Sequence, residues 1–239
     1  MPGLGTIVNV TAVIVGGIIG CFLHGGLKKR FQEILMQALG LATLFIGLAG
    51  ALKGLLTITD SSLDTKGAMP LIGSLVLGAL VGECINIEKR IETFGDWLKK
   101  KAKSTSDPQF TEGFVSCTLV ICVGAMAVVG SLEDGLSQNT DMLFTKAILD
   151  FIIVLIMAST LGKGVIFSFL PLAVFQGLIT IFSQFLAPIL TDNAIHTLSF
   201  VGSTLIFCVG INLAFGKKFK VGNLLPALLF AVLFGIFLK

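Results

Sequence analysis

Charge is what this chain of 239 residues has least of. Asp, Glu, Lys and Arg make up 13% of it, about half the ordinary share of about 25%. With 54% hydrophobic residues and a mean hydropathy of +0.97, the composition excludes a water-soluble domain. The net charge of +3 comes from short basic loops and not from a basic face with aromatics, so nucleic acid is not a partner. Cys-x-x-Cys is absent, and Cys21, Cys84, Cys117, Cys122 and Cys208 all sit in apolar runs with no histidine ligand set. Neither a disulfide framework nor a zinc site is expected; these are small packing residues. His-Glu-x-x-His, Gly-x-Ser-x-Gly, a P-loop and Gly-x-Gly-Asp are also missing, which points to a non-enzyme without cofactor or metal.

What is present is a series of apolar runs near the 20 residues that cross about 30 Å of hydrocarbon. Eight are expected, over residues 5–24, 34–57, 69–87, 112–132, 142–162, 164–187, 195–215 and 222–238. They make residues 1–239 a single transmembrane domain of the all-α class, with the lipid bilayer as its main partner. Most of the 28 glycines lie within these runs, as in closely packed membrane helices. Gly16-x-x-x-Gly20 and Gly78-x-x-x-Gly82 permit helix pairing within the chain or in a homo-oligomer. The first run is read as a retained span and not a signal peptide, because its basic cluster follows it.

Basic loops alternate with this count. Lys28, Lys29 and Arg30 follow the first span, Lys89, Arg90, Lys99, Lys100, Lys101 and Lys103 the third, Lys163 the fifth, and Lys217, Lys218 and Lys220 the seventh. Lys53, Lys66 and Lys239 fall on the other side with Asp60, Asp64, Glu133, Asp134, Asp141 and Asp192. The positive-inside rule then places both termini outside a cytoplasmic membrane. Within residues 88–101, just past Ile87, the apolar positions Ile91, Phe94 and Leu98 continue its helical spacing, with charges opposite and Trp97 at the edge. This predicts an amphipathic helix on the cytoplasmic headgroups.

The run from Phe114 to Gly124 matches that from Phe200 to Gly210, sharing Thr-Leu-x-x-Cys-Val-Gly. Spans four and seven cross in opposite senses, so common ancestry implies an inverted repeat, a frequent construction in secondary transporters. The alternative is that helices drawn from Gly, Val, Leu, Ile and Cys resemble one another by composition. A weaker parallel match links Phe31-x-Glu33 with Phe110-x-Glu112, and Gly50-Ala-Leu with Gly130-Ser-Leu.

Ionisable groups inside hydrocarbon cost a few kcal/mol, which makes them site candidates. Lys146 and Asp150 share one face of span five, four residues apart. At 1.5 Å per residue from Asp141, Asp150 lies about 13 Å deep, near the midplane. They form either a binding pair or a fixed ion pair that pins helices. Glu83, near the end of span three, is a binding residue or one that snorkels to water beside Lys89 or Arg90. Gln176, after Pro171, lines a broken helix or makes one helix-helix hydrogen bond. Weaker candidates are Asn9 and Asn212 near span ends, and Thr118 and Thr204 at equivalent places in the repeat. Asp134 is also among them, in a Glu133-Asp134-Gly135 turn that is either a site or simply solvated. His24 and His196 are read as unliganded interface residues.

Several of these positions carry a resemblance: Asn9 with Gly16-Gly17-x-x-Gly20; Gly82-Glu83; the run Cys122-Val-Gly-Ala-Met-Ala-Val-Val-Gly-Ser-Leu-Glu-Asp-Gly135; Lys146-x-x-x-Asp150; Gly162-Lys-Gly-Val165; Gln176-Gly177; and Val221-Gly-Asn-Leu-Leu-Pro226. Over nearly its whole length the chain resembles the prokaryotic family called domain of unknown function 554, the YqgA/YdfK-like membrane proteins. The resemblance implies an integral protein of the prokaryotic cytoplasmic membrane and brings no substrate with it. The residues themselves favour a secondary transporter or permease for a small polar solute, coupled to protons or a cation through Asp150 and Glu83, with Lys146 and Gln176 orienting the solute. A channel-like pore and a non-transporting structural or regulatory protein are the alternatives.

Overall fold

A computed structural model describes residues 2–24, 28–59, 62–65 and 67–237. Asp60, Lys66, Lys239 and the last residue of the expected eighth span lie outside these. The chain is almost wholly helical. Its helices are α1 Leu4–His24, α2 Lys29–Leu55, α3 Ala68–Ile85, α4 Ile87–Lys101, α5 Phe110–Cys122, α6 Ala125–Ser137 and α7 Asp141–Leu161. After a 3-10 segment, Gly162–Ser168, come α8 Phe169–Ile181, α9 Ser183–Leu186, α10 Asp192–Phe215, α11 Val221–Leu224 and α12 Ala227–Phe237.

By length and composition five apolar runs among the described residues are able to cross a membrane, and the bent pair α5–α6 makes a sixth. The chain is a multi-pass membrane protein. Large apolar side chains such as Ile7, Phe45, Ile46, Ile72 and Ile148 are more than half exposed. That pattern suits lipid and not water.

The expected second span ends in a feature absent from the all-α reading. Leu56–Thr59 (β1) pairs antiparallel with Ser62–Thr65 (β2), in register Leu56 with Thr65 and Thr59 with Ser62. The β-branched alternation Leu-Thr-Ile-Thr favours a strand over a helix end. The expected fourth span is also not one helix: α5 stops at Cys122 and α6 begins at Ala125. The matching Cys208-Val209-Gly210 run stays helical within α10, so similar sequences adopt different conformations. Gly210 presses on the backbone of Leu44, whereas a Cβ at Gly124 would meet only Ile206, at 3.8 Å.

The chain packs as two units. The first comprises Met1–Leu39, Lys89–Cys122 and Met126–Leu186. Along α1, Gly5 lies against Leu143, Gly16 against Phe151, and Gly20 against Leu155 and Ala158. Thr6 meets Thr180, Asn9 meets Gln176, and Gly17 meets Ile166. Numbers on α7 rise with those on α1 while numbers on α8 fall, so residues 141–181 are a hairpin whose two arms flank α1. The hairpin turns at Gly162, where φ is +77°, a conformation that only glycine takes without strain. Gly164 then lets the chain pass against the Phe110 carbonyl. Gly16 and Gly20 are thus taken up inside the chain.

Helix α4, which continues into this unit from residue 89, divides its apolar face. Leu98 is buried with Phe110 and Phe114, and Ile91 packs on that cluster. Phe94 stacks on Trp97 with centroids 5.6 Å apart, and both remain about half exposed. Much of the surface expected on headgroups is therefore spent on the N-terminal turns of α5.

The second unit comprises Gly40–Glu88, Val123–Ala125 and Ala187–Lys239. A glycine stripe on α2 brings it onto α10, Gly40 against Ala214, Gly47 against Phe207, and Gly54 against Phe200. Gly78 on α3 meets Ala227, Gly82 meets Asn223, and Gly235 on α12 meets Ala194. Small residues let backbones approach closely where burial of apolar area gives no drive. Gly78 and Gly82, like Gly16 and Gly20, pack within one chain.

Candidate functional site

One row of α7, at helical spacing, faces inward: Leu143, Lys146 with Ala147, Asp150, Val154 and Met157. On the opposite side Ile148, Leu149 and Ile152 are exposed, so the two charges lie on the buried face of the helix. Lys146 Nζ donates to Asp150 Oδ2 at 2.5 Å and to the carbonyl of Ile121 at 2.8 Å. That carbonyl lies in the last turn of α5 and has no helical partner, because α5 ends one residue later. A cation at a helix C-terminus is favoured by the helix dipole. The broken helix and the ion pair are thus one arrangement.

Asn9 on α1 donates from Nδ2 to Asp150 Oδ2 at 3.0 Å and to Gln176 Oε1 of α8 at 3.2 Å. Both carboxamides are fully buried. Five buried side-chain atoms among the described residues have no partner: Asn9 Oδ1, Gln176 Nε2, Thr118 Oγ1, Ser131 Oγ and Ser74 Oγ. The first four belong to the helices around Lys146 and Asp150. Each unpaired group costs about 1–3 kcal/mol, so the first unit carries a concentrated polar cost.

The polar set continues toward the start of α1. Thr180 Oγ1 donates to the Ser131 carbonyl at 3.2 Å, which leaves the Thr6 hydroxyl to donate to Thr180, at 3.3 Å. Asp134 is no solvated turn: it is fully buried. Its carboxylate accepts from the backbone N–H of Gly3 at 3.2 Å and of Thr6 at 3.3 Å. It serves as the anionic cap for the first turn of α1. On the other side of the pair, Cys117 donates to Ser168 Oγ at 3.2 Å, since the Ser168 proton goes to the Val165 carbonyl. His24 Nδ1 contacts the Ser159 carbonyl at 3.0 Å.

The second unit holds a separate polar cluster. Glu83 pairs with Lys220 at 2.8 Å and accepts from Asn223 Nδ2 at 2.6 Å; its partners are these and not Lys89 or Arg90. Glu88 is 5% exposed, pairs with Lys217 at 2.7 Å and accepts from the Gly222 N–H at 3.0 Å. Its own N–H donates to Asn223 Oδ1 at 2.7 Å, so one carboxamide ties α3, α4 and α11 together. The hydrogen bond and charge of Glu83 push the Lys220 ammonium above its ordinary pKa. Asn212 holds the neighbouring loop, accepting from the Lys218 and Phe219 N–H groups at 2.8 and 2.9 Å.

Residues 4–236 match the family described as protein of unknown function (DUF554). The chain belongs to this family. One relative, from Bacillus subtilis (strain 168), bears the name uncharacterized membrane protein YdfK and is 35% identical over 225 residues, covering 94% of this chain and 92% of its own. A second, uncharacterized protein YqgA of Escherichia coli (strain K12), is 28% identical over 233 residues, 96% of this chain and 94% of its own. No solved structure matches.

Of the residues singled out from this family member's sequence, Asp150, Lys146, Asn9 and Gln176 come together directly. Thr118 stands one helical turn before Ile121 on α5, and Asp134 joins through Thr6. Glu83 and Asn212 lie in the second unit, and Thr204 only returns its hydroxyl to the Phe200 carbonyl at 3.2 Å. His196 lines a cleft of about 270 Å³ with Lys53, Asp192 and Ser199. Sequence reading missed Thr6, Thr180, Glu88, Asn223 and the Ile121 carbonyl. Asn223, a carboxamide between Gly222 and two leucines, offered a signal; the carbonyl, being backbone, offered none.

Proposed function

We propose that the protein is a non-enzymatic secondary transporter for a small polar solute in the prokaryotic cytoplasmic membrane, with the first unit as its binding core. The observation that carries this reading is the Lys146–Asp150 pair, held at the broken end of α5 and bound by the α1 carboxamide of Asn9, which donates in turn to Gln176 of α8. Structural ion pairs rarely sit among so many unpaired polar atoms, whereas a site that takes up and releases a ligand keeps such groups free. Broken helices whose ends face a charged site are a recurrent device of transporters. Eight crossings with both termini outside accord with the α7–α8 hairpin and the alternating basic loops. The match between residues 114–124 and 200–210 supports an inverted repeat.

The test uses full-length protein in proteoliposomes, after a thermal-shift screen of small solutes has supplied a ligand. Saturable, gradient-driven uptake that Asp150→Asn abolishes is expected. Rapid conductance without saturation would instead make the protein a pore. Absence of flux for every stabilising solute would leave Lys146 and Asp150 as a packing device.

A further inference from the structure

Helix α4 carries a line of side chains that its own packing leaves unused. Ile91 and Leu98 lie on Phe110 and Phe114 of α5, and Gly95 lets the backbone approach Thr111 and Phe114. Alongside this face Arg90, Phe94, Trp97 and Lys101 follow at steps of four, three and four, which sets them in one row along the helix, and all are exposed. The row has a cation at each end and two aromatic rings between. Phe94 stacks on Trp97 at 5.6 Å and leans on Phe114 at 5.9 Å, so the stack is seated on α5. Lys101 Nζ stands 5.8 Å over the Trp97 ring. Lys99, Lys100 and Lys103 add positive charge, and these three with Lys101 make no ion pair among the described residues. Asp96, the acid of this stretch, already accepts from the Thr111 hydroxyl at 2.6 Å.

Water suits the lysines but not the half-exposed stack, and hydrocarbon suits the stack but not the lysines. The boundary between them suits both, with phosphate oxygens on the cations and the rings at headgroup depth. Asn86 alone separates α4 from α3, a candidate span, so α4 begins where the chain leaves hydrocarbon. A second copy of this face would meet it positive against positive. Zwitterionic lipid offers the rings their depth but no net charge to the lysines. We infer that this face of α4 is a binding site for anionic phospholipid: Arg90, Lys99, Lys100, Lys101 and Lys103 take the phosphates, and the glycerol and upper acyl chains lie on the Phe94–Trp97 stack. Through Phe94 and Leu98 the bound lipid also steadies the first turns of α5, the half-helix whose far end gives its Ile121 carbonyl to Lys146. The site is separate from that pair and does not depend on what the first unit transports.

Trp97 is the chain's single tryptophan, so its fluorescence reports this face alone. Full-length protein is placed in phosphatidylcholine nanodiscs in which a minor, equal share of lipid is brominated near the glycerol end of its acyl chains, as phosphatidylglycerol in one series and phosphatidylcholine in the other. The brominated phosphatidylglycerol should quench Trp97 about twofold more or better, and the excess should shrink as NaCl screens the lysines. Replacing Lys99, Lys100, Lys101 and Lys103 together by Gln should abolish the excess without unfolding the protein, since none of them holds an ion pair. Removing equal charge elsewhere, by Lys28→Gln, Lys29→Gln, Arg30→Gln and Lys218→Gln together, should keep it. Equal quenching by the two lipids overturns the inference, as does an excess that survives the α4 lysine substitutions or is lost equally in the charge-matched control. Quenching by aqueous acrylamide with none from either lipid overturns it by leaving Trp97 in water. Competition by free glycerol 3-phosphate that removes the excess overturns it in favour of a soluble-phosphate site.

Discussion

Asp134 Oδ2 lies 3.3 Å from the backbone nitrogen of Thr6, so an acid that closes one helix begins another 128 residues earlier in the chain. Replacing it by Ala should destabilise the protein by about 1–2 kcal/mol, the worth of an anionic cap at a partly closed helix end. Asp134→Asn should lose less, since one acceptor remains. Hydrogen exchange should report the loss locally, as faster exchange of the amides of Gly3 and Thr6.

The buried pair gives a sharper contrast. Lys146→Met alone leaves a carboxylate in the core with only Asn9 donating to it, and should cost about 3–5 kcal/mol. Lys146→Met with Asp150→Leu should recover most of that. A double-mutant cycle on unfolding midpoints measures the coupling; additive losses would show that the two side chains act independently.

Glycine substitutions should split by their surroundings. A Cβ at Gly164 or Gly82 would collide with the carbonyl of Phe110 or Asn223 respectively. Either Ala variant should therefore lose about 1–3 kcal/mol or more to overpacking. At Gly177 nothing lies within 4 Å, so Gly177→Ala should be neutral or gain up to about 1 kcal/mol from helix propensity. Thermal unfolding of the three variants side by side checks the ordering.

At the second cluster, Asn223→Ala strands the buried N–H of Glu88 and should cost about 1–3 kcal/mol. Lys220→Ala should move the midpoint little, because its bridge to Glu83 is exposed and screened. Glu83 raises the Lys220 pKa. The favourable contribution of that bridge is complete between the ordinary carboxylate and lysine ranges, and fades as pH falls through the Glu83 value or rises through the elevated Lys220 value. Stability measured across neutral pH should show no step from this pair.

The helical class was legible because apolar runs of the length that hydrocarbon demands stand out in the sequence. The α5 break was not, since Cys-Val-Gly ends one helix here and runs through another in α10; packing on Leu44 decides the second case and local composition decides neither. The β hairpin was hidden by an apolar run that reads equally well as a helix tail. Within the site, Lys146 and Asp150 announced each other by spacing. Asn9 and Gln176 were visible singly, but their meeting depends on the turn at Gly162. Thr6 and Thr180 passed as ordinary helix residues because only a neighbour's hydroxyl gives them meaning.

The hairpin around α1 bears on how the chain is made. Asn9 waits for Asp150 and Gln176, which follow it by 141 and 167 residues. At about 5–20 residues per second, the ribosome adds the last of these roughly 8–33 seconds after Asn9. Through that interval the first helix must remain in the insertion machinery or in lipid with a bare carboxamide, exposed to membrane quality control. Chains truncated before residue 176 should therefore be degraded in the cell with α1 inserted but unanchored, and early translational pausing should lower the yield more than late pausing does.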